Sequence, residues 1–412
     1  MTSNGEGESE APVATSDPAA LLRDHRARQQ VGYVELFLDV VYVFVLTRLT
    51  AVLADDLSWR GAYELLLLFL AMWWIWYRIA WTTNRYNSGR PAIQLMIIYT
   101  MLGSLLLAIA VARAFTDWGL IFASIYVAVQ VGRYTWLLLL GGGRAERKLS
   151  ACVLFWAALS AGPWLIGGFH HGWARVAWWS LALFLDYLGG ALDFATPILG
   201  RAGRRWHKIA EGHLTDRYRQ FLIISLGEMA LVIGREYRPY GFQEFHTIGV
   251  LVAFATMVLL WQIYFYRAGS VLREAIASAG APMSLGELAW YSHLVMVAGI
   301  VLGTVGNRLV VVDPLQHTGL AHVLVIFGGP AVFLLGRGIL DYATFSHISW
   351  TRPLGVVTLA ALIPAALRVP ITVTAALAAV VLAGVAIGNF LARRYFPREP
   401  SPPRLGSVPS KP

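Results

Sequence analysis

The chain is predicted to be all-α, a polytopic membrane helix bundle of about twelve transmembrane helices arranged as two parallel six-helix repeats. Three observations predict it. Of its 412 residues, 57% are hydrophobic and only 14% are charged, where a soluble domain carries roughly 25% charged residues. Apolar runs without Asp, Glu, Lys or Arg recur along the chain, each near the 20 or so residues a helix needs to cross a bilayer core that offers the backbone no hydrogen-bond partner. Two short patterns also recur at matching spacing in the two halves. This composition excludes a soluble enzyme. The single cysteine, Cys152, excludes a disulfide scaffold and a cysteine-based zinc site.

The first span, Val34–Ala54, holds Glu35, Asp39 and Arg48, and the second, Gly61–Trp81, ends in the belt Trp73, Trp74, Trp76 and Trp81. Aromatic residues of this kind collect at membrane–water interfaces. Pro91–Ala112 has no charge, and Gly119–Leu140 carries Gln130 and Arg133 toward its end. Leu149–Ala174 is again uncharged, and Ala174–Phe194 contains Asp186. In the second half Arg219–Gly234 contains Glu228, Phe245–Tyr266 is uncharged, and Leu288–Asn307 contains His293. Pro314–Gly336, the short Pro353–Leu367 with Pro364 inside it, and Val369–Ala392 complete the twelve.

Residues 1–30 read as a cytoplasmic tail that lacks the apolar core of a cleavable signal peptide. Residues 31–194 form the first repeat, 195–218 a basic loop and 219–396 the second repeat. Residues 397–412 hold six prolines and are expected to be disordered. With both termini cytoplasmic, the inner segments collect 25 of the 33 Lys and Arg, against seven in the outer loops, as the positive-inside rule requires. The net charge of +9 therefore belongs to membrane-flanking loops and gives no reason to expect nucleic acid.

The repeat is read from two acids and two aromatic clusters. Asp39 lies 34 residues before Trp73-Trp74-Ile75-Trp76-Tyr77, and Glu228 lies 33 before Trp261-Gln262-Ile263-Tyr264-Phe265. Helices four and ten open with Gly119-Leu120 and Gly319-Leu320. An even number of spans per copy makes the repeats parallel, an arrangement found in transporters with sites between the copies.

Several of these segments together resemble one family. Val34-Glu35-Leu36-Phe37-Leu38-Asp39-Val40-Val41-Tyr42-Val43-Phe44 is similar to the opening of the bacterial low temperature requirement A (LtrA) family. Further matches are Trp74 to Trp81 with Asn84-Arg85, then Tyr126, Gln130 and Arg133, and His213-Leu214-Thr215-Asp216-Arg217 followed by Leu226-Gly227-Glu228. Trp261, Tyr264 and Phe265, and Tyr291-Ser292-His293, continue the pattern. Asp216 stands where the family has Glu, and Asn307 where it often has Glu after Val-Gly. The resemblance runs from about residue 31 to 340 and implies a multi-pass protein of the bacterial cytoplasmic membrane, linked by the family's name to growth in the cold.

An ionised carboxylate at the bilayer centre costs about 2.5–3.5 kcal/mol on insertion scales, so it must be paired, protonated or facing water. Glu35, Asp39, Asp186, Glu228 and His293 are the candidates for a substrate or proton pathway. Glu35 and Asp39, four apart, share a helix face. Arg78, Arg133 and Arg217 are the expected charge partners, and His213 is a candidate for a lipid headgroup or another anion. Gly227 is expected to let another helix approach Glu228. No catalytic constellation, metal site or cofactor motif appears: Gly141-Gly142-Gly143 lacks the ending a phosphate loop needs. The expected function is a proton-linked transporter of a small solute or ion with Asp39, Glu228 and Asp186 lining one cavity. Two alternatives are a membrane enzyme acting on lipid, using His213, Asp216, Arg217, Glu35 and Asp39 at one leaflet, and a structural membrane protein in which buried charges fix helix register. The bilayer and an unknown solute are the expected partners.

Overall fold

In the computed structural model, residues 21–23, 30–201, 210–278, 282–345 and 348–395 are described. Residues 1–20 and 24–29 of the expected N-terminal tail, residues 202–209 of the basic loop and the C-terminal tail lie outside them. The described chain is all-α: α1 (Tyr33–Asp55), α2 (Trp59–Arg85), α3 (Pro91–Val111), α4 (Gly119–Leu139), α5 (Arg144–Phe169), α6 (Gly172–Ala191), α7 (Glu211–Tyr237), α8 (Glu244–Ser278), α9 (Pro282–Val312), α10 (Leu320–Phe345), α11 (Thr351–Ala361), α12 (Ile363–Ala366) and α13 (Ile371–Tyr395).

Local chemistry sets several boundaries. The Ser58 hydroxyl accepts the Gly61 N–H at 3.0 Å and caps α2, and Pro91 opens α3, where its missing N–H has no partner to lose. The span expected over Pro353–Leu367 is two pieces, α11 and α12. Pro364 falls in the first turn of α12, so the backbone ladder breaks at Leu362 and restarts.

Among the described residues nine helices are long and apolar enough to cross a membrane: α1 to α5, α8, α9, α10 and α13. Large apolar side chains face outward, with Phe37 60%, Leu251 62% and Val380 68% exposed, while Glu35, Asp39, Arg133, Arg217 and Glu228 are fully buried. Apolar groups outside and charges inside is the order a lipid solvent imposes.

The bundle is tied at both ends. At one, α2's end meets the residue leading into α7: Asn84 Nδ2 donates to the Ala210 carbonyl (2.9 Å) and its Oδ1 accepts the Ala210 N–H (3.1 Å). At the other, Arg308 of α9 reaches Asp55 of α1 (3.2 Å) and Glu236 of α7 (3.6 Å). Between them α9 and α10 pack backbone to backbone. A Cβ on Gly329 would lie 2.5 Å from the Gly303 nitrogen, and one on Gly299 2.5 Å from that of Phe333, so small residues permit this contact. Gly227 has nothing within 4 Å of its Cβ position. It admits no helix, contrary to expectation, because it faces away from α7's neighbours.

Candidate functional site

The first cluster ties α1 to α7. Glu35, in the first turn of α1, accepts the Gly32 N–H (3.2 Å), the Ser88 hydroxyl (2.6 Å) and Arg23 (3.2 Å). Its other oxygen lies 2.8 Å from His213 Nε2. One turn deeper, Asp39 accepts from Arg217 Nη1 (2.6 Å) and Trp76 Nε1 (2.9 Å). Arg217 Nη1 also reaches the Glu35 carbonyl at 2.9 Å, and its Nε is 3.7 Å from the Glu35 carboxylate. Two carboxylates thus meet two guanidiniums, of Arg23 and Arg217.

His213 is fully buried between Glu35 and the Asn84 amide, 3.3 Å from its Nδ1. This overturns the headgroup expectation, because both ring nitrogens are engaged inside the protein. It also leaves the leaflet cluster of a lipid-directed enzyme without an exposed histidine.

Glu228, near the middle of α7, has a different environment. Its oxygens accept from the Thr50 hydroxyl of α1 (3.1 Å) and the Thr304 hydroxyl of α9 (3.2 Å). No cationic side chain approaches within 4.0 Å of it among the described residues. Thr50 is eleven residues beyond Asp39 on α1, about 16 Å at 1.5 Å per residue. Asp39 and Glu228 therefore lie at different depths of the bundle.

Asp186 forms a third group, on α6. It accepts from Tyr126 (2.9 Å) and Trp164 (3.3 Å). Gln130 Nε2 donates to the same Tyr126 oxygen (3.4 Å), and Arg133 Nη2 donates to Gln130 Oε1 (2.5 Å). Among the described residues Arg133 and Arg78, the expected partners of carboxylates, pair with none. Both donate to the Tyr134 hydroxyl of α4, Arg133 from the same helix and Arg78 from α2, at 3.3 and 2.7 Å. His293 has both nitrogens occupied, by the Tyr264 hydroxyl (2.8 Å) and the Ala289 carbonyl (2.6 Å), and it stacks on Tyr218. The Ala289 carbonyl can only accept, so Nδ1 carries a hydrogen.

Sequence reasoning missed Thr50 and Thr304, whose hydroxyls carry no signal until three helices converge. It also missed the buried group Arg337, Asp341 and Arg352. Asp341 binds Arg337 and lies 3.3 Å from Arg352 Nε, and Arg352 Nη1 donates to Asn389 at 2.6 Å. An Arg–Asp pair four apart on a helix was the available signal. No group of three or more His, Cys, Asp or Glu suited to a metal occurs among the described residues.

Comparison with known proteins agrees over nearly the whole chain. Residues 30–387 match the bacterial low temperature requirement A protein (LtrA) family. The chain is 29% identical over 399 residues to the uncharacterized protein RA0937 of Rhizobium meliloti (strain 1021), covering 94% of this chain and 96% of the relative. No solved structure matches it. With its membrane-crossing helices and the acids buried among them, the chain belongs to the LtrA family.

Proposed function

We propose that this protein is a proton-linked transporter of a small solute or ion, in the bacterial cytoplasmic membrane with both termini inside. The observation that carries this is the cage around Glu228. Thr304 Oγ1 lies 2.9 Å from the Ile300 carbonyl and 3.2 Å from Glu228, and Thr50 Oγ1 lies 3.0 Å from the Thr47 carbonyl and 3.1 Å from Glu228. A hydroxyl has one hydrogen. With Glu228 ionised, both threonines turn that hydrogen to the carboxylate. With Glu228 protonated, the acid donates to one threonine and both hydroxyls return to their helix carbonyls. Each protonation state is satisfied without moving a heavy atom, as a group that loads and releases a proton needs.

The finer architecture in this reading is twelve crossings in two six-helix repeats, with α6, α7 and the α11–α12 pair added to the nine apolar helices. Matching neighbours support it. α3 packs on α1 and α4, α5 on α4 and α6, and α2 on α6. In the same order α9 packs on α7 and α10, α11 on α10 and α13, and α8 on α13. Arg133 of α4 donates to the Ile75 carbonyl of α2 (3.3 Å), and Arg337 of α10 to the Ile263 carbonyl of α8 (3.4 Å). Ile75 and Ile263 are the central residues of the two aromatic patterns. A Cβ on Gly103 would meet Val129, and one on Gly329 would meet Gly303, each pair 200 residues from the other in sequence. In the mechanism, the halves rock about their interface while Glu228, at the junction of α1, α7 and α9, takes up a proton from one side and releases it to the other.

The test is a pH-indicator assay on protein in liposomes, run across a panel of small solutes with wild type and Glu228→Gln. A solute that drives proton movement in wild type and not in the variant is the expected result. Equal proton movement in both would refute Glu228 as the coupling site. The Asp39–Arg217 contact favours a purely structural role for the other acid, which then holds α1 against α7.

A further inference from the structure

We infer that Arg78 and Arg133 form the binding site of a small oxyanion, a carboxylate or a phosphate, at the end of the bundle where α2 and α4 finish. Arg133 is fully buried and Arg78 is 9% exposed. Their Nη2 and Nε atoms, in the order Arg133 and Arg78, donate to the same Tyr134 oxygen at 3.3 and 2.7 Å, so the two cationic groups lie within about 6 Å of each other, where like charges repel most strongly away from water. Among the described residues no carboxylate stands within 4.0 Å of either. Arg133 Nε is buried with no acceptor at all. Arg78 is covered on one side by the Phe194 ring, 4.4 Å from its Cζ, and its remaining exposure is the way in for a ligand.

The second half of the protein holds the counterpart with the anion built in. Arg337 touches the Ile263 carbonyl as Arg133 touches that of Ile75. There a carboxylate, Asp341, four residues further along α10, receives Arg337 and a second arginine, Arg352. Four residues beyond Arg133 stands Leu137. The first half thus gathers two arginines whose nearby acid, Asp186, reaches Arg133 only through Tyr126 and Gln130, and the chemistry of Asp341 names the ligand class that completes it. Arg217 also has two nitrogens, Nε and Nη2, without a hydrogen-bond acceptor, but Asp39 and Glu35 balance its charge. Among the described residues Arg78 and Arg133 have no carboxylate in direct contact. A free oxyanion and a lipid phosphate offer the same chemistry.

The experiment uses the purified full chain in phosphatidylcholine nanodiscs, with no gradient, so its result is independent of whether the protein transports protons through Glu228. Binding of labelled inorganic phosphate and labelled acetate at low millimolar concentration is measured at constant ionic strength. In parallel, thermal stability is compared in discs with and without phosphatidylglycerol. Saturable binding of either small anion identifies a free oxyanion as the ligand, and stabilisation by phosphatidylglycerol alone identifies a lipid phosphate. In either case Arg78→Gln weakens the effect at least tenfold. Leu137→Asp, which puts a resident carboxylate where α10 has one, abolishes it while the protein stays folded. The inference is overturned if neither small anion nor phosphatidylglycerol has an effect in wild type, or if Leu137→Asp binds them undiminished.

Discussion

Asp39 on α1 and Glu228 on α7 are both fully buried, yet they are neutralised in opposite ways. Asp39 has a guanidinium at 2.6 Å and an indole N–H at 2.9 Å. Glu228 has two hydroxyls and no cation. A buried carboxylate that faces an arginine is committed to the ionised state, and removing either partner leaves an uncompensated charge. A carboxylate that faces hydroxyls is not committed, because a hydroxyl both donates and accepts. Burial alone therefore says little about function. What the acid is buried against decides it.

The greatest loss of stability is expected from breaking the committed site. Arg217→Gln leaves Asp39 and Glu35 with Arg23 as their one remaining guanidinium, and the loss of one partner from a buried pair costs about 3–5 kcal/mol. The variant should unfold at a much lower temperature than wild type in detergent, or fail to accumulate. A wild-type melting temperature would mean that the α1–α7 contact does not rest on this charge pair. Adding Asp39→Asn to Arg217→Gln isolates the stranded charge. The double variant should be more stable than Arg217→Gln alone, since it removes the carboxylate that the single change leaves unpaired.

Much of this was legible in the sequence, and the limit is physical. Apolar runs and the scarcity of charge report the solvent around a helix, so the membrane bundle could be read locally. Pro364 marked the weak eleventh span for the same reason, since a missing N–H acts on its own turn. But α7 begins at Glu211 and α8 runs to Ser278, past the apolar spans expected from Arg219 and to Tyr266, because a helix continues beyond the segment that faces lipid. Which acid meets which base is not local. Arg217 and Asp39 are 178 residues apart, and Arg78, Arg133 and Arg217 are equally basic in sequence. Only the folded chain shows the first two donating to Tyr134. His213 is easily misread, because a histidine beside a basic loop resembles a surface group until Asn84 and Glu35 are seen to enclose it.

A more moderate effect separates stability from function. Glu228→Gln keeps an oxygen and an amide that exchange hydrogen bonds with Thr50 and Thr304, so its cost should be about 1 kcal/mol or less, the size of an interhelical hydrogen bond in a bilayer. Asp39→Asn leaves Arg217 facing a neutral group and should cost more. Thermal melts of the two variants side by side test this order. If Glu228→Gln proves the more damaging, Glu228 is a structural tie, and the contrast between the two acids fails.

The least change in stability and the most specific change in function are expected from the threonines. Thr304→Val keeps the shape of the side chain and removes the hydroxyl. The hydroxyl's bond to the Ile300 carbonyl is within its own helix, and that carbonyl is not left without a partner in the α-helical ladder, so the fold should lose well under about 1 kcal/mol. The ionised carboxylate loses one of its two donors, and a hydrogen bond to a charged group contributes about 1.5–3 kcal/mol. A proton cycle that must pass through the ionised form should therefore slow by roughly tenfold, since about 1.4 kcal/mol corresponds to a factor of ten. Thr50→Val should act in the same direction through the other oxygen, and the two together should slow the cycle further than either alone. A proton flux in Thr304→Val equal to that of wild type, with a solute that drives flux in wild type, would show that the second hydroxyl takes no part in the cycle, and that the cage around Glu228 is packing and nothing more.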